Sequence, residues 1–176
     1  PLGRAHYGDL GYCAIAKIIA RDIPELPALK LDGYISCQEL RAALPNALPG
    51  YVMGRMLWDN TLTYDALQEE YFSALYGSHW QEARDCLEQL SALSSADYFN
   101  GIGPRVDARL AQRLHQAAEA AAVLHETAAR RAAETCGLTQ NAWQLLDYHA
   151  GYCRLISGAL AAQADGRQAE AQQQWL

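Results

Sequence analysis

The chain has 176 residues, 51% of them hydrophobic and 19% charged, which supplies one domain, or a small domain with an appendage, with a sizeable core and excludes disorder as the default state. A formal net charge of -6 at pH 7 excludes a nucleic-acid backbone binder, which needs a basic face, and no apolar run approaches the roughly 20 residues that span a bilayer. Ten Tyr and four Trp against two Phe give the aromatic complement polar handles, suited to wet clefts and to half-buried positions alike.

Residues 9–22 put Cys13 or Ala14, Ile15, Ile18, Ile19 and Asp22 at helical spacing and predict a helix closed by Pro24 and Pro27. Leu31, Tyr34 and Ile35, punctuated by Gly33, predict a strand over 33–37, the one convincing strand of the chain. A single strand cannot satisfy its own backbone and demands a partner. A short helix is expected over 38–44, halted by Pro45. Residues 46–49 read as a loop, and a helix follows over 50–58. Thr61 and Thr63 are candidate N-caps for a helix over 64–76, whose early turns carry Asp65, Glu69 and Glu70 where the dipole favours acid. Gly77 suits the C′ position of that helix. Ser78-His-Trp-Gln81 has the capping-box pattern and predicts a helix over 79–93 with Ala83, Leu87 and Leu90 inward. Residues 94–105 read as a loop containing Gly101, Gly103 and Pro104.

The longest predicted element runs over 105–136, roughly 45 Å at 1.5 Å per residue. Its Leu110, Leu114, Ala117, Ala121, Leu124, Ala128 and Ala132 alternate mainly four and three apart, the seam of an antiparallel bundle or coiled coil. Gly137 is expected to cap it and Thr139 to start a partner helix over 140–164. There Trp143, Leu146, Ala150, Cys153, Ser157 and Leu160 share a face, with Leu145, Tyr152 and Ile156 beside them. So tight a link makes the two helices antiparallel neighbours. Gly166 breaks the second, and residues 167–176 are expected to form a last turn or two anchored by Trp175. The predicted fold is therefore mainly α: an antiparallel helical bundle with a long helical hairpin, preceded by a remnant βα unit.

The five Cys, at 13, 37, 86, 136 and 153, are odd in number and widely spaced, without Cys-x-x-Cys. That pattern speaks against a disulfide framework or a zinc site and for small buried apolar residues in a reduced protein, which tilts the expected compartment towards the cytoplasm. Pro1-Leu-Gly-Arg4 carries no Met, and the segment is expected to come from a longer polypeptide whose leader, if any, it cannot reveal.

The run GYISCQELRAALPNALPGYVMGRMLWDNTLTYDALQEEYFSALYG resembles the end of the catalytic barrel in a bacterial family of domains of unknown function regarded as glycoside hydrolases, similar to α-glucuronidases and β-hexosaminidases. Gly33-Tyr-Ile, Leu57-Trp58-Asp59, Tyr64-Asp65-Ala-Leu67, Tyr71-Phe72 and Tyr76-Gly77 carry the resemblance, which covers roughly residues 8–93. Asn60 stands where the family has Pro, and Ser36, Cys37 and Gln38 stand where it often has a carboxylate, with Glu39 one step beyond. The resemblance implies that residues 9–22 are the last-but-one helix of a TIM-like barrel, 33–37 its eighth strand and 50–58 its eighth helix. It divides the chain into a barrel remnant at 1–60 and a helical bundle domain at 61–176.

What the resemblance implies of function is a C-terminal fragment of a glycoside hydrolase. The fragment completes and buttresses the barrel, is itself inactive, and meets carbohydrate through the full-length protein. Barrel chemistry sits at the C-terminal ends of strands, which nominates Gln38, Glu39 and Arg41. Glu39 would be one of the two carboxylates that glycoside cleavage requires, its partner lying outside the chain. Arg41 would clamp a sugar carboxylate bidentately, with Gln38 beside it on the substrate. The plainer readings are a solvated Glu at a helix start and a surface or salt-bridged Arg.

Trp58 has the ring to stack on a sugar, but beside Leu57 at a helix end it reads as a packing residue joining helix to bundle. Tyr71, Phe72 and Tyr76 read as core. His115 and His125, ten apart on one helix, do not face each other as i, i+4 ligands would; across the hairpin either could approach His149 or Asp147. No Gly-rich phosphate loop, Gly-x-Ser-x-Gly or His-Glu-x-x-His occurs, and Ser36, Ser94 and Ser95 have no triad context. No cofactor and no metal are expected, nor a nucleic-acid or membrane partner. The alternative reading is an autonomous helical scaffold or oligomerisation module without catalytic activity, self-associating through its helices, for instance the strip from Ala117 to Ala133, or through the exposed strand edge.

Overall fold

The computed structural model describes residues 8–31 and 46–175. The strand expected at 33–37 and the helix expected at 38–44 lie outside the described residues, among which there is no strand. The helices are α1 (Cys13–Asp22), α2 (Leu48–Trp58), α3 (Tyr64–Tyr76), α4 (Trp80–Leu93), α5 (Ala96–Phe99), α6 (Ala108–Glu134), α7 (Gly137–Ala164) and α8 (Gln168–Trp175).

Their boundaries follow from where orphan backbone groups find partners. α1 starts at Cys13 rather than at residue 9, because the Asp9 carboxylate takes the Tyr12 N–H at 3.1 Å and the Ile15 N–H at 3.0 Å and holds residues 9–12 in a turn. α2 starts two residues earlier than expected. Pro49 sits in its first turn, where a missing N–H costs nothing, and the Asn46 side-chain oxygen accepts the Leu48 N–H at 3.1 Å. α3 has the expected bounds: Thr63 Oγ1 accepts the Ala66 N–H at 3.3 Å, whereas Thr61 bonds back to Asp59.

The capping box expected at Ser78 does not form. After Gly77, at φ +63°, one 3-10 turn over Gly77–His79 leads into α4, so the backbone does what the Ser78 side chain was expected to do. The loop expected at 94–105 contains α5, one turn capped by Ser95. Asp107 caps α6 through the Arg109 and Leu110 N–H groups at 2.9 and 3.0 Å. Gly137, at φ +62°, opens α7 instead of closing α6.

α6 and α7 form the long antiparallel hairpin. Leu114, Ala117, Ala121, Leu124, Ala128 and Ala132 of α6 and Trp143, Leu146, Ala150, Cys153, Ser157 and Leu160 of α7 are all buried. Leu110 is only half-buried, and Ala111 takes the innermost place in its stead. Polar contacts hold the register along the hairpin. Gln140 Nε2 donates to the Ala132 carbonyl at 3.0 Å near the turn, His125 Nδ1 lies 2.5 Å from Asp147 Oδ1 midway, and His115 Nε2 lies 2.8 Å from Asp165 Oδ2 near the open end.

The remaining helices pack on this hairpin. Phe72 and Tyr76 of α3 stack with ring centroids 5.8 Å apart, and Tyr76 meets Trp143 of α7 edge-on at 4.8 Å. Tyr71 is half-buried and its hydroxyl accepts the Ala47 N–H at 2.7 Å. Cys13, Ala16 and Ile19 of α1 and Leu48, Val52 and Met56 of α2 join the same core. Glu82 of α4 pairs with Arg131 of α6, which also reaches Glu134 at 2.6 Å.

Trp58 is the clearest departure from expectation: it is 93% exposed. Met56 and Val52 define the buried face of α2, and Trp58 follows Met56 by two positions, about 200° around the helix. The chain then turns away at Asp59, which is extended at φ -143°.

Candidate functional site

Gln38, Glu39 and Arg41, nominated from the sequence, lie at 32–45, outside the described residues. What the described residues do bring together is a polar joint around Leu10, where the start of the chain meets α4 and α7. Leu10 N–H donates to Ser94 Oγ at 3.0 Å and Cys13 N–H to Ser91 Oγ at 3.0 Å. The Leu10 carbonyl accepts from His149 Nε2 at 2.6 Å, and Asn46 Nδ2 donates to the Gly11 carbonyl at 3.3 Å. The approach is so close that only glycine fits. A Cβ on Gly11 would lie 1.8 Å from the Leu87 carbonyl oxygen, and one on Gly8 would lie 2.3 Å from Ala96 Cα.

The chemistry of this joint is that of neutral groups. Burial pushes His149 down to about 4, so the ring is neutral at pH 7, and because a carbonyl only accepts, Nε2 carries the proton. Cys153 Sγ lies 3.1 Å from the same nitrogen, one helical turn along α7. Burial raises the Cys153 thiol, so the pair is imidazole and thiol, not the imidazolium and thiolate of a cysteine nucleophile. Cys13 is raised as well, first by burial and then by the nearby Glu88 and Asp9 carboxylates.

A second cluster centres on Glu88 of α4. Its carboxylate receives Lys17 Nζ at 2.5 Å, Gln68 Nε2 at 2.6 Å and the Tyr64 hydroxyl at 3.1 Å, and Gln68 Nε2 also donates to the Tyr64 oxygen at 2.7 Å. The Tyr64 phenol is raised by burial, then by Cys13 and Glu88. Lys17, Tyr64, Gln68 and Glu88 thus tie α1, α3 and α4 together with the carboxylate's acceptor capacity occupied. Glycoside cleavage needs two carboxyl groups across a bond; Glu88 is half-buried, and Asp9, the buried acid among the described residues, is used in capping α1.

Of the histidines weighed across the hairpin, His125 does meet Asp147 and His115 meets Asp165, while His149 turns to Leu10. Among the described residues no three His, Cys, Asp or Glu side chains come together as a metal site would require. No described helix is long and apolar enough to cross a membrane. The joint around Leu10 escaped the sequence reading; its one local signal was His149 and Cys153 four apart on the buried face of α7, beside the glycine pair Gly8 and Gly11. Comparison of the chain with models of protein families, with curated proteins and with solved structures yields no match in any of the three.

Proposed function

We propose that this chain is the C-terminal part of a carbohydrate-active enzyme, a glycoside hydrolase whose barrel it completes and buttresses without carrying out the cleavage itself. In this reading residues 33–37 supply the last barrel strand, as the remnant βα unit, and Glu39 contributes an acid beside it. Gln38 and Arg41 face the sugar, and the second carboxylate comes from elsewhere on the barrel. The observation that supports a buttressing role is the joint around Leu10. Ser91, Ser94 and His149 of the bundle grip residues 8–15, part of the segment that the resemblance assigns to the last-but-one barrel helix. The neutral state of His149 and the raised Cys13 and Cys153 thiols fit a structural role for the described part of the chain.

The test is a panel of aryl glycosides offered to the longer polypeptide, to its Glu39→Gln variant and to the 176-residue chain alone. The expected result is hydrolysis of at least one glycoside by the longer protein, a loss of about 100-fold or more in the variant, as for removal of a general acid, and none by the chain alone. Unchanged turnover in the variant removes Glu39 from the site. An upstream reading frame without alternating strands and helices removes the barrel.

A further inference from the structure

Asn46, Asn60 and Asn141 are followed by Ala, Thr and Ala, and Asn100 alone by Gly. An asparagine before glycine is the pair most open to cyclisation, because glycine has no Cβ to hinder its backbone nitrogen as it attacks the carboxamide. Asn100 is exposed and ends α5, the single turn between α4 and α6. Hydrogen bonds close that turn over the pair. The Ala96 carbonyl accepts both the Asn100 N–H at 3.0 Å and the Asn100 Nδ2 at 2.8 Å. The Gly101 N–H, on the nitrogen that would attack, donates to the Tyr98 carbonyl at 3.0 Å, and the Ile102 N–H donates to the Asp97 carbonyl at 2.9 Å. Arg105 closes the other side. Its Nη1 donates to the same Tyr98 carbonyl at 3.4 Å, its own carbonyl accepts the Tyr98 hydroxyl at 2.8 Å, and its Nη2 lies 2.8 Å from where a Cβ on Gly101 would stand. The backbone is also set against reaction. Asn100 sits in the bridge region at φ -81° and ψ 4°, so the Gly101 nitrogen nearly eclipses the nitrogen of Asn100 itself. Ring closure needs it a third of a turn away, towards Cβ and the carboxamide, and that rotation draws the Gly101 N–H off Tyr98.

We propose that Asn100-Gly101 is a site of spontaneous deamidation gated by the α5 turn, inert while the turn is closed and converted when it opens. In the open turn the Gly101 nitrogen gives up its proton and bonds to Asn100 Cγ. The Cγ–Nδ2 bond breaks, and Nδ2 leaves as ammonia with that proton. Water then opens the cyclic imide at one carbonyl or the other. The products are aspartate in the ordinary chain, or isoaspartate with the chain running through the former side chain; nothing is oxidised or reduced. Aspartate puts an acceptor oxygen where Nδ2 donated to the Ala96 carbonyl, and isoaspartate lengthens the backbone by one carbon just before Gly101. Either product removes contacts that close α5, so the conversion is a one-way release of the link between α4 and α6. A single exposed turn belongs to the parts of a fold that open most readily. The proposal does not depend on the glycosidase reading.

The test is ageing of the chain at pH 8, folded and in urea, with peptide mapping by mass spectrometry to separate asparagine, aspartate and isoaspartate at position 100. In urea, conversion is expected to be fastest at position 100 among the asparagines. In the folded chain it is expected to be slower there by about tenfold or more, which corresponds to ~1.4 kcal/mol or more for opening the turn. Ser95→Ala removes the acceptor of the Tyr98 N–H, and Arg105→Ala removes the guanidinium over Gly101. Each is expected to speed conversion of the folded chain severalfold, with helical circular dichroism retained and the rate in urea unchanged. Absence of conversion at position 100 in urea would show that the pair is not a site. Equal rates in the folded and unfolded chain, or variants that age no faster than the unaltered protein, would show that α5 is not the gate. Each of these results overturns the proposal.

Discussion

His149 Nε2 stands 2.6 Å from the carbonyl oxygen of Leu10, a hydrogen bond that joins positions 139 apart in the chain and fastens its first described residues to the longest helix. Replacing His149 by Leu leaves that carbonyl buried and without its donor, a loss that typically costs about 1–3 kcal/mol. Urea unfolding at pH 7 measures it, and Ser94→Ala, on the other side of the same residue, is expected to lower the midpoint in the same direction.

The same ring gives the protein a pH dependence. His149 has a folded value of about 4 against 6.5 for the unfolded side chain, with burial as the first cause. As pH falls below 6.5 the unfolded state takes the proton first. The stability contributed by the neutral ring is therefore complete above pH 6.5, declines between 6.5 and 4, and changes no further below that. At 1.36 kcal/mol per unit the decline amounts to at most about 3 kcal/mol. His149→Gln keeps a donor for Leu10 and removes the titration. Its urea midpoint is expected to fall less between pH 7 and pH 4.5 than that of the unaltered chain. Parallel curves would mean that His149 is not the group responsible.

Gly11 and Gly54 make a pair with opposite expectations. Alanine at 11 drives its Cβ to 1.8 Å from the Leu87 carbonyl oxygen, a backbone atom that cannot step aside, and overpacking of this kind costs about 1–3 kcal/mol or more. Alanine at 54, exposed within α2, meets nothing within 4 Å and relieves the entropy cost of a helical glycine, a gain of about 0.5–1 kcal/mol. Thermal melts are expected to move down for Gly11→Ala and up for Gly54→Ala.

The parts of the fold written in local pattern were legible. The α6 and α7 stripes repeat over many turns, so an error at one position such as Leu110 does not disturb the phase, and Thr63 announces α3 by a cap that acts within three residues. The joint around Leu10 was not legible, because Ser94, Ser91 and His149 lie 84, 78 and 139 positions from their partners and no short window contains both. At Trp58 residue type suggested packing, but helix phase and the turn at Asp59 decided exposure. At Ser78 a valid capping pattern lost to a backbone turn begun by Gly77. The nominated residues Gln38, Glu39 and Arg41 rested on the resemblance rather than on any pattern of this kind.

Leu114 and Leu124 hold the centre of the hairpin, and both are almost completely buried. Alanine at either is expected to cost about 2–5 kcal/mol, a transfer term plus the cavity that neighbouring alanines cannot fill. Val123, adjacent in sequence but exposed, is the control: Val123→Ala should leave the melting temperature nearly unchanged. A small effect at both leucines would show that the hairpin is not the stabilising core.

Thiol reactivity separates the cysteines by burial and by charge state. Cys136 is exposed at the α6–α7 turn, Cys86 is half-buried, and Cys13 and Cys153 are inside the core. Burial raises the Cys13, Cys86 and Cys153 thiols, and the thiolate is the reactive form. In native buffer a disulfide reagent is therefore expected to modify Cys136 quickly and Cys86 slowly, and to leave Cys13 and Cys153 intact until denaturant is added. Peptide mapping of the labelled chain reads the order. Rapid native labelling of Cys153 would place a thiolate beside His149 and contradict the neutral pair described for this joint.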